Sequence, residues 1–223
     1  MSSAWMLTLV NPRPGREREY ADWYENCHLV EMVNVPSVSQ GRFHTATSHR
    51  PSRWRHAALY ELGADPAAAL AEIAEYGKAG KIQPSTASDP SSRLMGIAMP
   101  MAERVGRPAH PDNYLFVVLT NPVEGQDAEY NRWYNEEHVG DVLAVPGFVG
   151  VQRFSLAAPF GAPALQWRYV ALYEIDRDRV SEAFDGLTAS ADTSRMRVSP
   201  ALSRGDTGLG VYRPVAVRRG KAG

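Results

Sequence analysis

The chain of 223 residues has a single cysteine, Cys27, so no disulfide can form within it and no zinc site can be built on several thiolates. It has no apolar run long enough to span a membrane as a helix. Its N-terminus lacks the basic-then-apolar pattern of a signal peptide, so a cytoplasmic location is expected. A net charge of −1 offers no broad attraction for nucleic acid or anionic lipid, and neither is expected as a partner. The short basic tail Arg218-Arg219-Gly220-Lys221 reads as a frayed terminus. A glycine-rich phosphate loop, a nucleophile elbow and a dinucleotide fingerprint are all missing, which removes the common nucleotide-dependent and serine-hydrolase chemistries.

What the sequence has instead is a repeat. Asn11-Pro12, Gly15, Glu19-Tyr20, Trp23-Tyr24, His28 and Val35-Pro36 return as Asn121-Pro122, Gly125, Glu129-Tyr130, Trp133-Tyr134, His138 and Val145-Pro146. Trp54-Arg55 and Ala58-Leu59-Tyr60-Glu61 return as Trp167-Arg168 and Ala171-Leu172-Tyr173-Glu174. Two copies are too few for a solenoid, and each is about 110 residues, enough to bury a core of its own. The expected organisation is a first unit over 1–105, a linker over 106–113 and a second unit over 114–223.

Within each unit, short apolar runs bounded by turn residues alternate with longer segments free of interior glycine and proline. The first unit reads as a strand at Trp5–Val10, a helix from about Arg16 to Val33, strands at Ser37–Thr47 and Trp54–Leu62, a helix from Pro66 capped by Asp65, and a last strand at about Gly96–Val105. The second repeats this order, giving two βαββαβ ferredoxin-like units, an α+β fold. The bare face of each four-stranded sheet must be covered, and the matching face of the other unit is the obvious cover. The loops over 77–92 and 188–206 are long enough to be lids, binding loops or disordered segments.

The repeated polar residues fall on the first helix of each unit. At 100° per residue, Trp23, Tyr24 and His28 lie at about 40°, 140° and 180° from Glu19, with Glu31 near 120°. His28 stands four residues after Tyr24 and three before Glu31, and Tyr134, His138 and Asp141 repeat the spacing. A carboxylate can orient an imidazole, the imidazole can move a proton, and a tyrosine hydroxyl can support a developing oxyanion. The same residues also suit plain packing, a helix C-terminus and a satisfied ring N–H.

Further polar residues lie in the strands. His44 and His56 occur only in the first unit, opposite Ser155 or Leu156 and opposite Tyr169. By alternation Trp54, His56, Ala58 and Tyr60 share one side, as do Trp167, Tyr169, Ala171 and Tyr173. That side lines an aromatic pocket if it faces the space between the units, and is ordinary core if it faces the helices. Arg42 and Arg153 align when the Arg-Phe dipeptides are matched, and either can bind a substrate carboxylate or phenolate. His28 and Glu31 lack a specified third ligand, so no metal site is expected.

The pattern Tyr130-x-x-Trp133-Tyr134-x-x-x-His138 followed by Val145-Pro146-Gly147, with the Arg-Phe and Ala-Leu-Tyr-Glu strands, resembles the dimeric α/β-barrel superfamily, and within it the EthD-like proteins. The resemblance covers nearly all of both units. It implies that their sheets join into one barrel, here within a single chain as an intrachain pseudo-dimer, with room for a further homodimer. It also implies a pocket for a small-molecule substrate lined by His, Tyr and other aromatic residues. Members include cofactor-free monooxygenases, lactone isomerases, polyketide cyclases and dehydratases, with haem-dependent relatives further away. Ser37 departs from the pattern where the second unit has Gly147.

The expectation that follows is an enzyme without a cofactor, performing dehydration, isomerisation, cyclisation or lyase chemistry on an aromatic or polyketide-like carbonyl compound. His28 and His138 would be acid/base groups, oriented by Glu31 and Asp141 and assisted by Tyr24 and Tyr134; His44, His56, Tyr60, Tyr169, Arg42 and Arg153 would line the substrate. The alternatives are a non-catalytic protein binding a hydrophobic ligand or supporting another enzyme, and a cofactor-free or haem-dependent monooxygenase.

Overall fold

The structure is a computed structural model that describes residues 3–159, 162, 164–191 and 193–220. Lys221 of the basic tail lies outside them. Strands β1 (Trp5–Pro12), β2 (Val38–Ala46), β3 (His56–Leu62) and β4 (Ser88–Pro100) form the first unit's sheet. β6 (Tyr114–Thr120), β7 (Phe148–Ala157), β8 (Tyr169–Ile175) and β9 (Gly208–Arg219) form the second, and β5 (Val105–Gly106) is a two-residue strand in the linker. The order β4-β1-β3-β2-β9-β6-β8-β7 closes on itself through β4–β7, and every pairing is antiparallel. Two ferredoxin-like units thus share one eight-stranded barrel, as the repeat predicts.

Among the described residues, four helices cover the outside. The first, α1, runs as α-helix over Glu17–Trp23, as π-helix over Tyr24–His28 and as α-helix again over Leu29–Val33. The second, α2 (Pro66–Lys78), starts where predicted: the Asp65 carboxylate accepts from the amides of Ala67 and Ala68. In the second unit α3 repeats the interruption, with Asp127–Trp133, a π-segment at Tyr134–His138, and Val139–Leu143. Last, α4 opens with a 3-10 turn at Arg177–Arg179 and continues over Val180–Ser190. Among the described residues, no helix is long and apolar enough to cross a membrane.

Alternation along the strands sorts the side chains into three cores. Leu7, Leu9, Leu59, Leu115, Val117, Phe154 and Leu172 point inward and fill the barrel with mostly aliphatic side chains. Met6, Phe43, Ala58 and Tyr60 point outward against α1 and α2. Phe116, Tyr169, Ala171 and Tyr173 do the same against α3 and α4.

Three expectations are corrected. β4 begins at Ser88, well before Gly96, because its first residues pair with Asn11 and Pro12 across a bulge; this leaves a loop of only 79–87 before it. The longer segment over 193–207 is packed: Met196 and Ala201 are buried in the second outer core, and the Arg197 carbonyl accepts from the Trp133 indole at 3.0 Å. Trp54 and Trp167 do not share a side with Tyr60 and Tyr173. Each precedes its strand, turns into the barrel, and meets the other edge to face at 5.7 Å.

Candidate functional site

Both π-segments change what the repeated helix can present. A π-turn bonds residue i to i+5, and the Leu29 amide accordingly donates to the Tyr24 carbonyl, as the Val139 amide does to Tyr134. In a regular helix Trp23 and His28 would be about 140° apart. Here their rings stack at 4.7 Å, and Trp133 and His138 at 4.6 Å. Each imidazole also meets its tyrosine edge to face at 4.9 Å. The structure therefore unites tyrosine and histidine as expected and adds the tryptophan.

The acids are not drawn in. Glu31 accepts from the Gln83 amide at 3.0 Å, which holds it toward the 79–87 loop. Among the described residues, neither His28 nor His138 is hydrogen-bonded through Nδ1, which is buried in both. Asp141 is partly shielded, and burial followed by the charge of Glu137 raises its carboxyl above the usual range. Burial alone pushes His28 down to about 4; burial, then the charge of Arg153, takes His138 to about 4. Both are free bases at neutral pH. Tyr60 donates to the Tyr24 hydroxyl at 2.7 Å, and Tyr173 to Tyr134 at 3.4 Å. Burial raises all four phenols, so they act as hydrogen-bonding groups and not as phenolates.

Strand register redraws the remaining correspondences. Phe43 pairs with Ala58 and Arg153 with Ala171, so Arg153 is the counterpart of Phe43, and Arg42 is the counterpart of Gln152. His44 likewise corresponds to Phe154, while His56 and Tyr169 correspond as expected. Matching the Arg-Phe dipeptides slips the register by one, which moves each side chain to the opposite face. Arg42 and His44 point into the barrel; Arg153, His56, Tyr60 and Tyr169 point toward the helices.

In the second unit this puts a guanidinium into the helix–sheet layer. Arg153 is 4% exposed and lies 4.0 Å over the Tyr134 ring, with Tyr130 at 5.4 Å and Tyr169 at 5.9 Å. It donates to the side-chain oxygens of Asn131 at 2.9 Å and Asn135 at 2.5 Å. Tyr169 accepts from Asn131 at 3.2 Å and donates to Asp127 at 3.1 Å. Among the described residues, Arg153 has no carboxylate at ion-pair distance, so the layer holds an uncompensated positive charge next to a neutral imidazole. The sequence carries a clue in Asn131 and Asn135, which lie one helical turn apart on the same side as Arg153's strand position and have Ala21 and Glu25 in the first unit.

Arg42 has a different setting. It lies over Trp5 at 5.2 Å and 3.6 Å from Glu174, whose carboxylate also faces Arg104 at 3.4 Å and accepts from the His110 amide at 3.0 Å and Asn113 at 2.9 Å. A cavity of about 60 Å³ remains beside this cluster. A groove of about 530 Å³ runs along the linker outside it, lined by residues such as Arg107, His110 and Asp176; it contains no residue of the expected site.

The residues do not fit haem, which the resemblance brings in through its more distant members. Neither the cavity beside Glu174 nor the groove along the linker is lined by His28, His44, His56 or His138, so none of these imidazoles offers a ring nitrogen to a macrocycle at either opening. Among the described residues, no three His, Cys, Asp or Glu side chains converge on a metal-sized site.

No protein-family model matches the chain, and no curated protein matches it. Solved structures share its fold. A protein described as anthrone oxidase-like is 14% identical with a TM-score of 0.65, over 98% of this chain and 93% of that one. A monooxygenase candidate from Lactobacillus acidophilus NCFM is 8% identical with a TM-score of 0.55, over 98% and 97%. A mutant chlorite dismutase from Candidatus Nitrospira defluvii is 11% identical with a TM-score of 0.54, over 96% and 93%. At such identities the likeness is one of fold.

Proposed function

We propose that the protein is a small-molecule enzyme of EthD-like type, and that its second unit oxidises an enolisable aromatic carbonyl compound with molecular oxygen. The observation that carries this reading is Arg153, a buried guanidinium with no carboxylate at ion-pair distance among the described residues, beside the free-base His138. A neutral imidazole that holds a proton weakly can take one from carbon only if the resulting enolate is stabilised, and a desolvated cation supplies that stabilisation.

In the proposed reaction His138 accepts a proton from a CH2 group conjugated to the substrate carbonyl, and the enolate oxygen is held by Arg153. Oxygen then adds to the carbanion carbon, and loss of water leaves a second carbonyl, so that CH2 and O2 become C=O and H2O. Tyr134 and Tyr173 hydrogen-bond within the same layer, and Asn131 and Asn135 fix the guanidinium. The likeness to an anthrone oxidase-like protein supports oxidation over the dehydration, isomerisation, cyclisation or lyase chemistry expected from the sequence, which would begin with the same proton transfer. A cytoplasmic location goes with the same proposal.

The test is oxygen uptake with anthrone as probe, corrected for its uncatalysed oxidation, in wild type, His138→Ala, Arg153→Met and His28→Ala. Loss in the first two variants with His28→Ala active supports the assignment. Equal uptake in all four overturns it; turnover of the probe without oxygen uptake returns the reaction to the lyase and isomerase class.

A further inference from the structure

Trp54 and Trp167 meet inside one end of the barrel; the cavity beside Glu174 lies at the other, where β1 begins opposite the end of β3. Leu59 and Leu172 line it together, as do Arg42 and Gln152, and strand register makes each pair equivalent in the two units. The cavity thus straddles the pseudo-two-fold axis, and the linker adds Arg104 to its wall. A water takes up about 30 Å³ in the liquid, so a cavity of about 60 Å³ holds about two waters, or one molecule of about four non-hydrogen atoms.

Two shielded donors on this wall have no hydrogen-bond partner among the described residues, Arg104 Nη2 and Gln152 Nε2. Arg104 is held in place. Its Nε donates to the Arg107 carbonyl at 2.7 Å, and its guanidinium lies against Gly150, where a Cβ would come within 2.8 Å of Cζ. Nη2 faces Glu174 at 3.4 Å without bonding to it, and that carboxylate already accepts from the His110 amide and Asn113. Negative charge is short as well. Two guanidiniums, Arg42 and Arg104, meet one carboxylate at ion-pair distance. Burial, against the opposing pull of Glu174 and half-buried Glu61, leaves the Arg42 guanidinium below its ordinary range, and the charge of Arg104 adds to the lowering. A buried donor left unpaired is costly, and these two open on a space that can hold their partner.

We infer that the linker end of the barrel is a binding site for a short-chain carboxylate of the size of acetate. Both open atoms are donors, so the partner must accept. A carboxylate has two oxygens in one plane, one for the Arg104 guanidinium and one for the Gln152 amide, and it brings the charge that the two arginines lack. A neutral amide of the same shape brings a donor to a wall whose open polar atoms are donors already. The rest of the wall includes Leu59, Leu115, Phe154 and Leu172, which suit a methyl group better than a third oxygen. The site is separate from the His138 and Arg153 layer, because its side chains point into the barrel and Arg153 points toward the helices.

The probe is acetate, with neutral acetamide and inorganic nitrate as controls, followed by saturation-transfer NMR at constant ionic strength. The proteins are wild type, Gln152→Leu, Arg104→Met, Gln152→Glu and Arg153→Met. Acetate should bind wild type about 10-fold or more tightly than either control, and Gln152→Leu and Arg104→Met should each weaken it by about 10-fold, the effect of removing a bond to a charged group. Arg153→Met should leave acetate binding unchanged. Gln152→Glu supplies a tethered carboxylate in place of the ligand, so it should lose acetate binding and melt above ligand-free wild type, a gain that a merely structural glutamine would not give. Absence of acetate binding, equal binding of acetamide or nitrate, binding lost only in Arg153→Met, a lower melting temperature in Gln152→Glu, or an acetate-soaked crystal with only water beside Arg104 and Gln152 would each overturn the inference. The outcome does not depend on oxidation at the second unit.

Discussion

The guanidinium of Arg153 lies over Tyr134 at 4.0 Å, in the place that Phe43 takes over Tyr24 at 4.2 Å. One sheet position thus carries a cation in one unit and a benzene ring in the other, on the same tyrosine. Arg153→Phe would copy the first unit's stack into the second and should fold. With anthrone as probe it should lose about 100- to 1,000-fold in kcat/KM, the range for removing an oxyanion-stabilising donor. Retained activity in a folded Arg153→Phe protein would remove Arg153 from the mechanism.

Acid should destabilise the fold through its histidines. Burial pushes His28, His56 and His138 to about 4 and His44 to about 3, against about 6.5 in an unfolded chain. Between those values the unfolded chain binds more protons than the folded one. Stability is therefore whole above about pH 6.5 and falls as the pH drops toward 4. Buried His44 accounts for at most about 5 kcal/mol and buried His56 for at most about 3, the half-buried pair for less. The melting temperature should decline steadily from pH 7 to 4, and a His44→Phe/His56→Phe protein should show a shallower slope. Identical slopes would count against it.

Glu174 should anchor the linker. It is 5% exposed and faces Arg42, Arg104, the His110 amide and Asn113, so Glu174→Ala leaves partly buried cations and donors without their acceptor. The expected cost is about 1–3 kcal/mol, the range for leaving polar groups unsatisfied. Trypsin should cut the variant after Arg104, whose guanidinium faces Glu174 in the intact protein, faster than wild type. Unchanged cleavage would mean the linker is held elsewhere.

Gly147 has φ of 101°, and a Cβ there would sit 2.8 Å from the Ala183 Cβ and 2.9 Å from the Arg179 carbonyl. Gly147→Ser, which copies Ser37 of the first unit, should cost about 1–3 kcal/mol in urea denaturation. Ser37→Gly should be nearly neutral by the same measurement.

The fold was legible because its signal was repeated: two copies of one strand and helix pattern predict two like sheets that need covering. The pairing of Tyr24 with His28 was legible for the same reason. Trp23 beside His28 was not, since a helical wheel assumes a regular turn and the backbone inserts a π-turn in both units. Arg153 in the helix layer was missed because a shared Arg-Phe dipeptide outweighed register. The units are offset by 110 residues through β2 and β7 and by 113 through β3 and β8, so the inserted residues lie in the hairpin loop, where identity is weakest. Glu31 was misread because the Gln83 amide that takes it is distant in sequence.

Closing the barrel within one chain has a consequence for how its two halves can change. When identical chains pair about a two-fold axis, any substitution appears on both sides at once, and each must tolerate it. Covalent fusion lifts that obligation. Phe43 and Arg153, His56 and Tyr169, and Val10 and Thr120 are pairs that no symmetric assembly of one gene product could hold together, and here each has settled independently on a shared scaffold.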